Sequence, residues 1–388
     1  MTKILIVHIT NTDVSNDNRI LKEISALSEL NDSMVLSIGV GNNSKNTLNI
    51  IPGGKNHSLR LWSRLLTWLP RPIRYTLELF EFTIRATRLG SQIFYKERCS
   101  RRIVHCHDTL ALPSGAILRM LYGARLVYDA HELESNKNGQ SLLLSKATLI
   151  IEKFFWKKVD LFISVSESII SWYMHKLGEK PSCLVLNSPF MDSNLTSNDS
   201  MYHLDYLRVK FSIPKSSLIF VYLGILGPGR GIEACLDAFS KVGIQVQVVF
   251  VGFGVLDSLI DQFSSQYSNI HRHPPVRHEE VVRLVSGANY GLCLVENVSL
   301  SDYYCLPNKL FEYIFAGLKI LGSRLPEIQN TIEKYELGIV CNPDPNDILT
   351  AISLIIESPM YLLNKDLGDL TWQTQAERLR NSYEREIL

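Results

Sequence analysis

The 388-residue sequence is short of several features that would have settled its class at once. It has no C-x-x-C pair, and its seven cysteines (99, 106, 183, 235, 293, 305 and 341) are odd in number and scattered. That argues for reduced thiols in a cytoplasmic protein, and against a disulfide framework or a cysteine zinc site. No uncharged apolar run approaches the roughly 18 residues of a membrane span. The opening MTKILIVHIT lacks the long apolar region and small-residue site of a cleavable signal, which again points to the cytoplasm. A net charge of +1 leaves no basic surplus for a dedicated nucleic-acid binder. Low-complexity tracts are missing too. At 46% hydrophobic and 20% charged, the chain reads as globular and long enough for two domains, each with its own core.

Short runs of Ile, Val and Leu alternate with helical patterns, as in a parallel α/β sheet. One series of strands is expected at Ile4–His8, Val35–Ile38, Ile103–His105, Leu126–Tyr128, Leu161–Val165 and Cys183–Leu186. A second is expected at Ile219–Tyr222, Gln247–Val251, Tyr290–Leu294, Lys319–Gly322 and Gly338–Cys341. Between them, residues 187–206 are rich in Ser, Asn and Asp and read as a connection. The expectation is two doubly wound, Rossmann-like α/β domains, at 1–190 and 207–370, with a polar helix at 371–388 that packs back on the first. Sheets of this kind bind ligands beyond the carboxyl ends of their strands, so the loops there should carry the chemistry.

From His57 to Arg102, Arg and Lys far outnumber the glutamates Glu78, Glu81 and Glu97, and they alternate with Trp62, Trp68, Leu65, Leu66, Leu69, Phe80 and Phe82. Helices covering one face of the first sheet would account for this pattern. So would peripheral contact with an anionic membrane, and the two are compatible.

Two stretches carry chemistry. In VYLGILGPGRGIEACLDAF (221–239) a strand enters a loop with Gly224, Gly227, Gly229 and Gly231, and a helix starts near Ile232. Glycines let backbone amides approach a phosphate, and a helix N-terminus favours negative charge. Arg230 adds a cation able to hold two phosphate oxygens. In DYYCLPNKLFEYIFAG (302–317) Pro307 suits a first helical turn, Leu310, Phe311, Ile314 and Phe315 recur at helical spacing, and Gly317 is placed to end the run. Asn308 and Lys309 stand at the positive end of this helix. Glu312, one turn in, suits two vicinal ribose hydroxyls, or else is a surface Glu on an amphipathic helix.

GILGPGRGIE paired with LPNKLFEYIFAG resembles the retaining glycosyltransferases of family 4, which have the GT-B fold. The likeness extends through NDNRILKEISAL, HCHDTLALPSGAILRMLYGARLVYDAHE and FISVSESI, so it covers most of the chain. It implies a donor nucleotide on the second domain, an acceptor on the first, and a cleft between the two. Arg230 occupies the position of the family's loop Lys, while Ile225 stands where the family has Arg. Of the family's paired glutamates only the second is kept, as Glu312; the first falls on Tyr304. Sugar recognition then rests on loop amides from Tyr304 to Leu306, or on Asp302. The resemblance places His131 of VYDAHE against the donor sugar, although an isolated His is more often structural. His107 and Asp108 of HCHD stand at another strand end; one of them lines the acceptor side, or Asp108 caps a helix. Asn187 matches the family's Asn-Gly and is a hinge or a ligand contact.

Other motifs are absent. GFGVLD (252–257) lacks the third glycine of a dinucleotide fingerprint. With no D-x-D pair, a metal-bridged diphosphate is not expected; cationic side chains and helix ends would do that work. Ser166 and Ser168 lack the glycines of a nucleophile elbow. The implied activity is metal-independent transfer of a sugar, with retention, from a nucleotide-diphosphate donor to a glycan or lipid-linked glycan. No cofactor and no nucleic acid are expected, and the implied setting is surface polysaccharide synthesis at the inner face of a membrane. A nucleotide-sugar epimerase of the same fold, or a non-catalytic partner subunit of a glycosyltransferase, are the alternatives.

Overall fold

The computed structural model describes residues 3–41, 55–189, 204–358 and 366–388. Most of the expected 187–206 connection, residues 190–203, lies outside them. The chain divides into two compact units, Met1–Leu186 with Gln373–Leu388, and Asn187–Trp372.

Unit 1 is built on β1 (Ile4–Ile9), β2 (Ser33–Val40), β3 (Lys55–Leu59), β4 (Arg101–His107), β5 (Arg125–Ala130), β6 (Leu161–Ser164) and β7 (Ser182–Leu184). All pairings are parallel, in the order β3-β2-β1-β4-β5-β6-β7. Its helices are α1 (Asn18–Ser28), α2 (Arg71–Lys96), α3 (Asp108–Tyr122), α4 (Leu142–Trp156) and α5 (Glu167–Leu177). Right-handed crossovers put α1 on one face of the sheet and α2 to α5 on the other. The central strands are buried on both sides, with Leu5, Ile6, Val7, Val104, Leu126 and Val127 all fully enclosed, hence their continuous apolar runs. The C-terminal helix (Trp372–Glu386) joins the α1 side, where Tyr383 reaches His105 and Arg380 pairs with Glu29.

Unit 2 contains β8 (Leu218–Ile225), β9 (Val246–Phe253), β10 (Ile270–His273), β11 (Tyr290–Cys293), β12 (Lys319–Ser323) and β13 (Gly338–Cys341). They form a parallel sheet in the order β10-β9-β8-β11-β12-β13. Its helices are α6 (Tyr206–Phe211), α7 (Ile232–Phe239), α8 (Asp257–Gln266), α9 (His278–Val285), α10 (Leu300–Tyr303), α11 (Asn308–Phe315), α12 (Pro326–Lys334) and α13 (Pro345–Glu357). A core of Phe220, Tyr222, Phe239, Phe250, Leu292 and Ile352 fills one side of this sheet.

In each sheet the strand order reverses once, between β1 and β4 in unit 1 and between β8 and β11 in unit 2. A ligand crevice opens at such a switch point, outside the carboxyl ends of the two strands. Every strand expected from the sequence is present. Two more, β3 and β10, close the edges of the sheets.

The basic 57–102 segment is β3, a short 3-10 turn (Ser63–Leu65) and α2. Phe82, Ala86, Ile93 and Phe94 of α2 are buried, so the helix does cover a face of unit 1. On its other side Ile73, Leu77, Phe80 and Ile84 form an exposed stripe at helical spacing, near the exposed Trp62, Leu65 and Trp68 in sequence. Helix α4 likewise exposes Leu143, Ile150 and Phe154, beside Lys146 and Lys153. Among the described residues, no helix is long and apolar enough to cross a membrane.

Candidate functional site

The two chemistry-bearing stretches of unit 2 meet at its switch point. Strand β8 runs out through Gly224, at φ 123°, into the glycine loop. A Cβ on Gly231, the N-cap of α7 at φ 70°, would fall 2.3 Å from the Leu294 carbonyl, so only glycine lets the loop lie this close to the end of β11. From the other side, α11 begins at Asn308 with Pro307 as N-cap, and Gly317, at φ 74°, follows its end. Tyr313 fixes that helix to the sheet: its hydroxyl accepts from the Leu223 amide at 2.8 Å and donates to the Leu292 carbonyl at 3.3 Å. Lys309 therefore comes to lie beside the glycine loop, with Nζ 3.7 Å from the Tyr222 ring centre and 4.0 Å from where a Gly224 Cβ would stand.

Arg230 meets the second stretch through Asp302, its Nη1 3.4 Å from Oδ1. Asp302 is buried and accepts from the Ser299 hydroxyl at 2.7 Å. Arg230 itself stays about one-third exposed. Glu312 is buried, and the His278 Nδ1 lies 3.6 Å from its Oε1. This accounts in part for a carboxylate among apolar residues. Asn187 donates to the Asn308 side chain at 2.9 Å. Leu306 is buried, Tyr304 stacks edge-on against Tyr303, and Ile225 is exposed. The loop also carries an internal anion, because the Glu296 carboxylate accepts from the Gly231 amide at 3.0 Å. Burial pushes the nearby Cys293 thiol up to about 11, so it is not a thiolate nucleophile.

Unit 1 gathers ionisable groups of its own at its switch point. Asp129, near the end of β5, is fully buried and held bidentately by Arg19 of α1 at 3.0 and 3.2 Å. Arg19 also donates to the Val185 carbonyl and lies 3.1 Å from Glu23. His131 Nε2 sits 3.1 Å from Asp129 Oδ2 and 3.1 Å from His107 Nδ1. Burial opposes charge on His131, yet Asp108 and Asp129 outweigh it and lift its pKa to about 10. At neutral pH it is an imidazolium, able to donate a hydrogen bond and unable to act as a base. Arg19 and His131 in turn hold Asp129 well below the usual carboxylate range, against the effect of burial.

The expected acceptor-side role of His107 needs correction. His107 is fully buried, stacked on His105 and hydrogen-bonded to His8 and His131, so it positions other groups and does not face solvent. Capping by Asp108 is corrected as well. Asp108 is the first residue of α3, at a left-handed φ of 59°, and its carboxylate accepts from the His131 amide at 3.3 Å. The Thr109 amide of α3 is met by Glu134. Sequence reasoning missed Arg19, Glu23, Asp129, Glu296, His278 and Tyr313. The available signal was an ionisable residue inside an apolar strand, as with His8 in ILIVHI and Asp129 in RLVYDA.

No model of a known protein family matches the chain. A stretch of 151 residues is 23% identical to the D-inositol 3-phosphate glycosyltransferase of Corynebacterium glutamicum, and spans 38% of this chain and 36% of that one. The sucrose-phosphate synthase of Thermosynechococcus elongatus matches in structure with a TM-score of 0.72 at 18% identity, over 98% of this chain and 96% of that one. Anabaena HepE in complex with UDP-glucose matches with a TM-score of 0.66 at 13% identity, over 100% and 96%. An Escherichia coli trehalose-6-phosphate protein bound to UDP-2-fluoro-glucose matches with a TM-score of 0.66 at 11% identity, over 98% and 95%. Two parallel α/β units and these structural likenesses together establish that the chain has the GT-B fold.

Proposed function

We propose that the chain is a retaining glycosyltransferase, resembling family 4, that moves a sugar from a nucleotide-diphosphate donor to a glycan or lipid-linked glycan. The observation that carries this reading is the convergence of Gly224, Arg230, Lys309 and Glu312 at one switch point. The N-termini of α7 and α11, with Arg230 and Lys309, hold the diphosphate without a bridging metal. Glu312, beside His278, accepts the ribose hydroxyls. The loop amides near Gly227 and Gly229, and those from Tyr304 to Leu306, face the sugar. The bond from the anomeric carbon to the diphosphate breaks while the acceptor oxygen bonds to that carbon on the same face. The acceptor proton passes to the departing phosphate oxygen, so no protein nucleophile is needed. Donors bound by HepE and by the Escherichia coli protein, UDP-glucose and UDP-2-fluoro-glucose, support the nucleotide assignment.

The exposed apolar stripe of α2, flanked by arginines, supports peripheral membrane contact and hence a lipid-linked acceptor in surface polysaccharide synthesis. A panel of nucleoside diphosphates in thermal-shift measurements tests the central reading. A ligand at about 100 times its Kd adds about 2.7 kcal/mol of stability. If none of UDP, GDP, ADP or TDP raises the melting temperature, the reading fails. Ile225 and Tyr304, in place of the family's Arg and Glu, favour a second reading, a donor-binding partner subunit. Binding without turnover, rescued by a second protein, would establish it.

A further inference from the structure

Helix α4 of unit 1 carries on its outer face a pattern that neither its packing nor sugar transfer uses. Its inner face is accounted for, since Thr148, Glu152 and Trp156, four residues apart, are all buried. On the outer face Leu143, Ile150 and Phe154 are 67%, 67% and 71% exposed. Lys146, Lys153 and, at the C-cap, Lys157 are exposed as well. We propose that this face of α4 is a docking surface for an anionic lipid bilayer, with the helix lying in the plane of the interface.

Spacing carries the assignment. Leu143, Ile150 and Phe154 follow one another at seven and four residues, and so do Lys146, Lys153 and Lys157, three residues later. At about 100° per residue each set falls on one line along the helix, and the two lines stand roughly 60° apart. An apolar line beside a cationic one is what an interfacial helix presents: the first enters the headgroup boundary and the second meets lipid phosphates. The one acid of α4, Glu152, is on the buried face, where it accepts from Tyr128 and Tyr173. Among the described residues none of the three lysines is in an ion pair, so their charge is left for a partner.

The surroundings agree in sign and in character. Leu142, 80% exposed, adds an apolar residue at the start of α4. Helix α3 packs against both α2 and α4, and Tyr75 of α2 meets Thr148 of α4, so the exposed α2 stripe belongs to the same layer of helices. The acids of α2 near that stripe, Glu78 and Glu81, are paired with Arg64 and Arg85. A second copy of the chain fits this face poorly. In a two-fold contact a patch meets itself, and the lysine line would face another lysine line. An anionic leaflet satisfies both lines at once. The inference deepens the membrane contact proposed above, which invokes α2 alone, and rests on that reading. Helix α4 starts from the β5 end that carries His131, so a leaflet on its first turns lies near the carboxyl ends of the unit 1 strands.

The test is sedimentation of the full chain at low salt with vesicles of phosphatidylcholine, alone or mixed with phosphatidylserine. The wild type is expected to pellet with the mixed vesicles only. Lys146→Gln, Lys153→Gln and Lys157→Gln together should weaken the partition about 100-fold, each lysine contributing roughly fivefold. Ile150→Ser with Phe154→Ser should weaken it about tenfold, through lost burial in the leaflet. All five residues are exposed, so both variants should keep the melting temperature of the wild type and its shift with UDP. Wild-type binding that survives both variants overturns the α4 site and leaves α2 as the contact. A wild type that pellets with neither vesicle overturns both, while the UDP shift judges the nucleotide reading separately. A dimeric wild type that becomes monomeric in Ile150→Ser with Phe154→Ser, read by sedimentation velocity without lipid, also overturns the proposal and assigns the face to a second copy.

Discussion

The two switch points of the molecule solve opposite electrostatic problems. In unit 2 the cations Arg230 and Lys309 stand at helix N-termini beside the acids Asp302, Glu296 and Glu312, and Lys309 rests on the Tyr222 ring beside the glycine loop, where a ligand can meet it. In unit 1 the charges are met internally: Arg19 and His131 face Asp129, Asp108 and Glu23 inside the protein. A site whose charge is left open gains most from an anion arriving from outside. A site whose charge is closed on itself gives rigidity and a fixed protonation state instead.

Breaking the closed network should have the largest effect on folding. Asp129→Asn removes the bidentate partner of buried Arg19 and leaves Glu23 alone to balance it, and loss of one partner of a buried ion pair costs about 3–5 kcal/mol. Urea denaturation measures it, and a loss below 1 kcal/mol would show that unit 1 is not charge-closed. The open site should respond in activity and not in stability. Arg230→Ala is expected to lower single-turnover rates about 10²–10³-fold, because the diphosphate gains charge as its bond to the sugar breaks. Arg230→Lys should restore part of the rate without the two-point contact. Normal turnover in the alanine variant would remove Arg230 from the mechanism.

Buried acids of unit 1 sharpen the contrast through pH. Glu152 is fully buried and held up to about 7 by burial, against hydrogen bonds from Tyr173, Tyr128 and Thr109. Between about 4.5 and 7 the folded chain keeps a proton that the unfolded chain releases, so this group's contribution falls as pH rises. Relative to wild type, Glu152→Gln should therefore gain about 2–3 kcal/mol across that window. A stability difference that stays flat with pH would mean that Glu152 ionises as it does in water. In unit 2, Glu312→Gln should weaken nucleoside diphosphate binding by about 1–3 kcal/mol with melting unchanged. Unaltered affinity in calorimetry would end the ribose assignment. The smallest effect concerns α2: each basic residue near an anionic leaflet adds about 1 kcal/mol, and salt removes it. Sedimentation with phosphatidylserine vesicles should show binding at low salt and release at high salt. No pelleting at either salt would leave the stripe unexplained by membrane.

Local signals made much of this legible. The apolar runs of the inner strands, the glycine loop before Ile232 and the Pro307-to-Gly317 helix all stand where their residues suggest. The edge strands β3 (KNHSL) and β10 (IHRH) escaped detection because an edge needs no two-sided apolar burial, and polar residues also guard it against pairing with other chains. What unites Arg19 with Asp129, or His105 with Tyr383, is separation along the chain: 110 and 278 residues. No periodicity carries information over such a distance. Tyr383 in particular lies in a tail that reads as polar, yet it is fully buried.

The ladder between β8 and β11 is short, with Phe220 opposite Tyr290 and Val221 opposite Gly291. Beyond it the strands part, and the Tyr313 hydroxyl fills the gap between Leu223 and Leu292. A Cβ on Gly291 would strike the Tyr313 ring at 2.2 Å, so the ring can lie here only over a glycine. A side chain of α11 thus serves as a splice between two strands, and the helix moves only as the sheet moves. Force applied at Lys309 by an anchored ligand is borne by β8 and β11 together, which makes this end of unit 2 a stiff seat and not a lid.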